Sequence, residues 1–197
     1  TAGAISLAEL SKGHQQRRNA AVSSTTDADK PQDAAGCTPA VPQKEHEWLH
    51  KLVGDWIYEA DCLMGPDQPP MKSSGTHRTT SFGGLWIVGD GEGKMPDGSP
   101  AQTRLTLGYD TLKAVFVGSF IGSMMSNQWV YSGKLDASGK ILTLDTEGPD
   151  FSDPTKTARY QDILEIKSDD HHTLSSRALG PDGQWHGFMT AHYRRKR

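Results

Sequence analysis

The chain has 197 residues, a formal net charge of −3, 35% apolar residues and two cysteines. That length suits one ordinary domain plus a tail. The near-balanced charge excludes a basic footprint for nucleic acid, no apolar run reaches the ~18 residues of a spanning helix, and two cysteines cannot build a disulfide framework. The 21 glycines exceed the usual ~7% share and point to turns and strands.

Composition changes near residue 43. Residues 1–42 contain no Trp, Tyr or Phe, although the chain has five of each. Val22 to Pro42 is small, polar and punctuated by proline, the signature of an extended, largely irregular arm. Within it, Ile5, Leu7, Ala8 and Leu10 mark one apolar face of a short helix that needs something to dock on. Ala34-Ala35-Gly36-Cys37 has the form of a lipoprotein cleavage box, but charged residues replace the apolar stretch that must precede one. Cys37 and Cys62 either pair in an oxidising compartment, tying the arm to the first strand, or stay free thiols. The start at Thr1 fits processing and an extracytoplasmic placement.

Residues 43–197 read as a barrel domain. Gln43 to Val53 predicts a short amphipathic helix, with Trp48, Leu49, Leu52 and Val53 on one side and Gly54 as its stop. The period then changes to two, with Trp56, Tyr58, Ala60, Cys62 and Met64 on one face. Further strands are predicted at Lys72–Phe82, Trp86–Lys94, Thr103–Tyr109, Ala114–Ile121, Gln128–Leu135, Ile141–Glu147, Ala158–Lys167, Thr173–Leu179 and Trp185–Arg194. Gly-containing turns join them at residues 95–98, 136–139 and 181–183. No long crossover helix exists, so the strands pair antiparallel. A single all-β up-and-down barrel satisfies every edge; a two-sheet sandwich is the alternative.

Gly54-x-Trp56 after a short helix resembles the start of lipocalin-type barrels. A longer string is more specific: His46-x-Trp48-Leu49, Leu52-Val53-Gly54-Asp55-Trp56, Trp86-x-Val88, Gly93-x-Met95-Pro96-x-Gly98, Leu107-Gly108-Tyr109-Asp110, Gly133-x-Leu135-Asp136, Glu147-Gly148-Pro149 and Met189-Thr190-Ala191-x-Tyr193. Together they resemble the bacterial domain-of-unknown-function family 1579 over about residues 45–196. The resemblance implies a lipocalin-like, calycin-type barrel with a capping helix and with Trp56 as a plug at one end. It brings no activity and no catalytic residue.

Candidate chemistry is sparse. His46-Glu47-Trp48-Leu49-His50 fits H-E-x-x-H, so His46 and His50 are weak metal candidates and a hydrolase is the remote reading. The helix is short, and Val53 and Trp56 stand where one large subclass needs Gly and His. On the last strand, Trp185, Gly187, Met189, Ala191 and Tyr193 are expected to face inward, with His186, Phe188, Thr190 and His192 outside. His171-His172 reads as a solvated turn. Asp90/Glu92 and Asp145/Glu147 read as solvated pairs, and Gly89-x-Gly91-x-Gly93 as a strand bend or bulge.

Three functions follow. The first is a non-catalytic accessory subunit of a larger, membrane-associated assembly, docked through its arm and barrel surface. Ile5, Leu7, Leu10, Met124, Met125, Arg194 and Arg195 are its candidate contacts, and the basic tail suits peripheral membrane contact. The second is a carrier or sensor of a small apolar ligand, lipid or haem, with Trp56, Tyr58, Trp86, Phe116, Trp129, Met189 and Tyr193 lining the barrel. The third is the hydrolase. No cofactor is called for, and Arg194 is expected to stack across Trp56.

Overall fold

A computed structural model describes residues 39–63, 69–95 and 97–197. Helix α1 (Lys44–His50) begins after Gln43, whose backbone N–H donates to His46 Nδ1 at 2.8 Å. Glu45 and Glu47 in its first turn favour the positive end of the helix dipole. Trp48, Leu49 and Leu52 turn into the protein and are buried. Trp48 Nε1 donates to the Gly139 carbonyl at 2.9 Å, fixing α1 on the turn at residues 136–139. In that turn Gly139 takes a φ of +68°, which an L side chain resists. Asp136 accepts hydrogen bonds from Ser138, Lys140 and Ile141, which hold its carboxyl down at about 2.

The described residues form ten strands. They are β1 (Gly54–Cys62), β2 (Met71–Phe82), β3 (Trp86–Lys94), β4 (Pro100–Asp110), β5 (Val115–Gly122), β6 (Trp129–Leu135), β7 (Ile141–Pro149), β8 (Thr157–Ser168), β9 (His171–Leu179) and β10 (Trp185–Arg195). Each pairs antiparallel with its neighbour in sequence, and β1 pairs with β10 to close the barrel. Closure leaves no sheet edge, so the two-sheet alternative does not apply. The core holds Ile87, Leu107, Phe116, Leu142, Leu144 and Leu164, with Trp48 and Leu49 of α1 and Leu52 just after it pressed onto them.

Three expectations change. His171 and His172 open β9 instead of forming a solvated turn, and His172 is buried. The glycines of β3 make no bulge, because that strand pairs in unbroken register with β2 and β4. β10 does break register, between Gly187 and Met189. The extra residue, Phe188, lets both Phe188 and Met189 face the interior. It also reverses the phase of the residues before it. Trp185 therefore stands outside, where the Arg177 guanidinium lies 5.2 Å from its ring centre.

Candidate functional site: a cavity in the barrel

The end of the barrel under α1 is sealed. Trp56 is 1% exposed, and its Nε1 donates to the Leu52 carbonyl at 2.9 Å. The Arg195 guanidinium lies 4.2 Å from the Trp56 ring centre and donates to the main-chain carbonyls of Val53 and Asp169. Arg195, not Arg194, makes this stack because Arg195 is the register partner of Trp56, while Arg194 faces solvent. A Cβ at position 54 would sit 2.2 Å from Arg195 Nη1, and Gly54 has a φ of +142°. Gly54-x-Trp56 is thus a seal: the glycine admits the guanidinium that covers the indole.

Above the seal, an inner cavity of about 270 Å³ opens toward the other end of the barrel. Its mouth is aromatic. Trp129 and Tyr160 meet edge to face at 5.0 Å, Phe151 lies 5.2 Å from Tyr160, and Phe188 lies 5.3 Å from Phe151. Met125 lines the mouth too, and its sulfur accepts the Trp129 indole N–H at 3.1 Å. Leu105, Phe120, Leu144, Leu164, Leu174 and Met189 make the apolar wall.

Deeper, the lining turns polar with His77, Tyr131, Asp162, Ser176 and Tyr193. Tyr131 Oη donates to Asp162 Oδ2 and Ser176 Oγ to Oδ1, each at 2.5 Å. Burial pushes the Asp162 carboxyl up, and the two hydroxyls hold it partly back. Burial pushes His77 down. Thr146 also lines the cavity, and its buried Oγ1 has no hydrogen-bond partner. Between cavity and seal, Tyr193 stacks on His172 at 4.6 Å, and His172 meets Trp56 edge-on at 4.4 Å. Burial drives His172 down to about 3.

The glycine face of β3 makes room for this interior. A Cβ on Gly89 would fall 2.3 Å from His77 Nε2, and one on Gly93 would fall 2.4 Å from Tyr58 Oη. Gly89→Ala is expected to displace the His77 ring and lower stability by about 1–3 kcal/mol, as overpacking does. Urea unfolding measures this, and an unchanged midpoint would mean the ring has free space to move.

Of the expected ligand residues, Trp129, Met189 and Tyr193 line the cavity. Tyr58 stands behind Tyr193, with ring centres 5.6 Å apart. Trp56 is in the seal. Phe116 packs in the core against Trp48 at 5.8 Å. Trp86 lies outside the barrel, its ring spread over Gly108, the register partner that leaves the outer face open. Of the partner candidates, Ile5, Leu7 and Leu10 fall outside the described residues, as does Cys37. Met124 is 39% exposed, Met125 is turned to the cavity, and Arg195 is engaged in the seal. Of the weak metal candidates, His46 is buried, with its Nδ1 occupied by the Gln43 N–H, whereas the exposed His50 bonds Ser81. His192 lies outside, as expected, and stacks on His171. His186 does not: the bulge puts it in the inner-face row of Ala178 and Tyr160, at the open end of the barrel, where it is exposed and contacts Asp182. Asp90 pairs with Arg104, and Asp145 accepts from Gln161, on the outer face.

The sequence reading missed Asp162 and its two donors. Its signal was parity: Tyr160, Asp162, Leu164 and Ile166 alternate along β8, placing one acid on the apolar face.

The family described as "Protein of unknown function (DUF1579)" matches residues 41–195. The chain belongs to this family. No curated protein matched the sequence. Among solved structures, the M. tuberculosis protein Rv2717c is 13% identical, with a TM-score of 0.57 over 80% of this chain and 100% of that one. The S-type phycobiliprotein lyase CPES of Guillardia theta is also 13% identical, with a TM-score of 0.54 over 78% of this chain and 93% of that one. At these identities the likeness shows the fold, a barrel that this member of DUF1579 shares.

Proposed function

We propose that this DUF1579 barrel is a non-catalytic carrier or sensor of a small, largely apolar molecule. The observation that carries the reading is the 270 Å³ cavity with its aromatic mouth and apolar wall. A well-packed interior leaves few voids larger than a water molecule, so space of this size has a use. A ~150 Å³ cavity holds benzene, so by proportion this one suits about eleven non-hydrogen atoms. That favours a compact one- or two-ring molecule over haem or a long-chain lipid. An accessory-subunit role would act through the arm and the barrel surface, and residues 1–38 of that arm lie outside the described residues.

Titration with 1-methylnaphthalene, followed by Trp fluorescence, tests the reading. Binding in about the micromolar range is expected, near −8 kcal/mol. That is about −0.7 kcal/mol per atom, within the range of small ligands. Leu105→Trp, which fills the cavity, should weaken binding at least tenfold while the thermal midpoint stays within a few degrees. No binding by the native chain, or equal binding by the filled variant, would end this reading.

A further inference from the structure

We propose that the cavity selects a cationic ligand, a small ring-bearing primary amine whose ammonium group sits on Asp162. This rests on the cavity being a ligand site, and adds which chemistry the site accepts. Asp162 lies on one inner-face row with its register partners Leu144 and Ser176, and Ser176 in turn pairs with Met189. The carboxyl is therefore flanked by an aliphatic side chain on β7, a hydroxyl on β9 and a thioether beyond it. Tyr131 on β6 supplies the second hydroxyl.

An ionised carboxylate has about four acceptor positions. Tyr131 and Ser176 take one on each oxygen, leaving acceptor capacity on a group that borders the cavity. Both hydroxyls point their donors at it, an arrangement that orients a carboxylate to receive a further donor. Among the described residues, no Lys, Arg or His lies within ion-pair distance of Asp162. Besides Tyr131, the other titratable groups lining the space are His77 on β2, Tyr160 on β8 and Tyr193 on β10. Burial keeps His77 neutral and both tyrosines protonated at neutral pH, so none of them supplies a positive charge. A buried carboxylate without a counter-charge is costly, and a ligand ammonium removes that cost.

A second observation points the same way. Thr146 pairs with Tyr160, two residues from Asp162 on the same inner face of β8. Its buried Oγ1 lacks any partner and borders the cavity. An ammonium has three N–H donors, so it can satisfy Asp162 and Thr146 together. The Trp129 and Tyr160 rings at the mouth favour a cation passing over their faces.

The test compares three probes of nearly equal size on the full chain: 1-naphthylmethylammonium, 1-methylnaphthalene and 1-naphthoate. At pH 7.5 the ammonium should bind at least tenfold tighter than the hydrocarbon, and the carboxylate at least tenfold weaker. In Asp162→Asn the affinities for ammonium and hydrocarbon should converge. Calorimetry of the native chain at pH 5, in buffers of different ionisation enthalpy, should show proton release with the ammonium and none with the hydrocarbon. This measurement serves even if the variant does not fold. Equal affinity for ammonium and hydrocarbon, or a preference that survives Asp162→Asn, would overturn the proposal and leave the apolar-ligand reading standing. Failure of all three probes to bind would overturn both.

Discussion

Replacing Trp56 by alanine should lower the stability of the barrel by about 3–5 kcal/mol, the loss typical of a fully buried large aromatic. The side chain is 1% exposed and plugs the end under α1. Three interactions go with it: the bond from Nε1 to the Leu52 carbonyl at 2.9 Å, the Arg195 guanidinium at 4.2 Å and the His172 edge contact at 4.4 Å. The Leu52 carbonyl would be left buried without that donor, which adds to the cavity cost. Trp56→Phe keeps most of the packing and loses the hydrogen bond, so a loss nearer half that of alanine is expected. Trp86→Ala is the control. Trp86 is 39% exposed on the outer face, and its loss should cost about 1 kcal/mol or less. Urea unfolding of the three variants decides it. Equal losses for Trp56→Ala and Trp86→Ala would show that the seal adds nothing beyond ordinary aromatic burial.

The second large effect is acid lability above the range where surface carboxylates titrate. His172 is buried, its Nδ1 has no hydrogen-bond partner, and burial holds it near 3. An unfolded histidine titrates near 6.5. Between these values the unfolded chain binds a proton that the folded chain refuses, so stability falls as pH falls below about 6.5. At pH 5, about 1.5 units below that value, His172 alone should remove about 2 kcal/mol at ~1.4 kcal/mol per unit. His77 is shifted in the same direction by burial and adds to the loss. Asp162 opposes it: its raised carboxyl binds a proton in the folded state first, so its contribution favours folding as pH falls. The lowered surface aspartates, such as Asp136, lose their contribution only below about pH 4, beneath this window. His172→Phe keeps a ring against Trp56 and Tyr193 and removes the titrating nitrogen. Urea unfolding at pH 7.5 and at pH 5.0 should show a loss of stability between them that is smaller by about 2 kcal/mol in that variant. An unchanged loss would place the acid lability elsewhere.

The strands were legible because their cause is local. Alternation of two from Trp56 onward, and turns closed by residues such as Gly139, depend on a few neighbouring residues, and hairpins between adjacent strands follow from them. The helix stop at Gly54 was legible for the same reason, whereas the plug role of Trp56 came from the family resemblance, since the seal needs Arg195 and His172 from distant strands. The interior was less so. Inside and outside along β10 depend on one bulged residue, Phe188, whose extra place in the ladder is set by pairing with β9. Counting by twos could not see it: Trp185 and Gly187, expected inside, stand outside, and His186 and Phe188, expected outside, take the inner phase.

The sequence by itself determined an all-β chain of antiparallel hairpins, since period and turn residues act over short range. Only the tertiary structure decided what the barrel encloses. Asp162, Tyr131, Ser176, His77 and Thr146 come from five strands, and their meeting depends on registers that accumulate around the closed sheet. The glycines of β3 make the same point: their meaning is the bulk of His77 and Tyr58 on other strands, which no local pattern records.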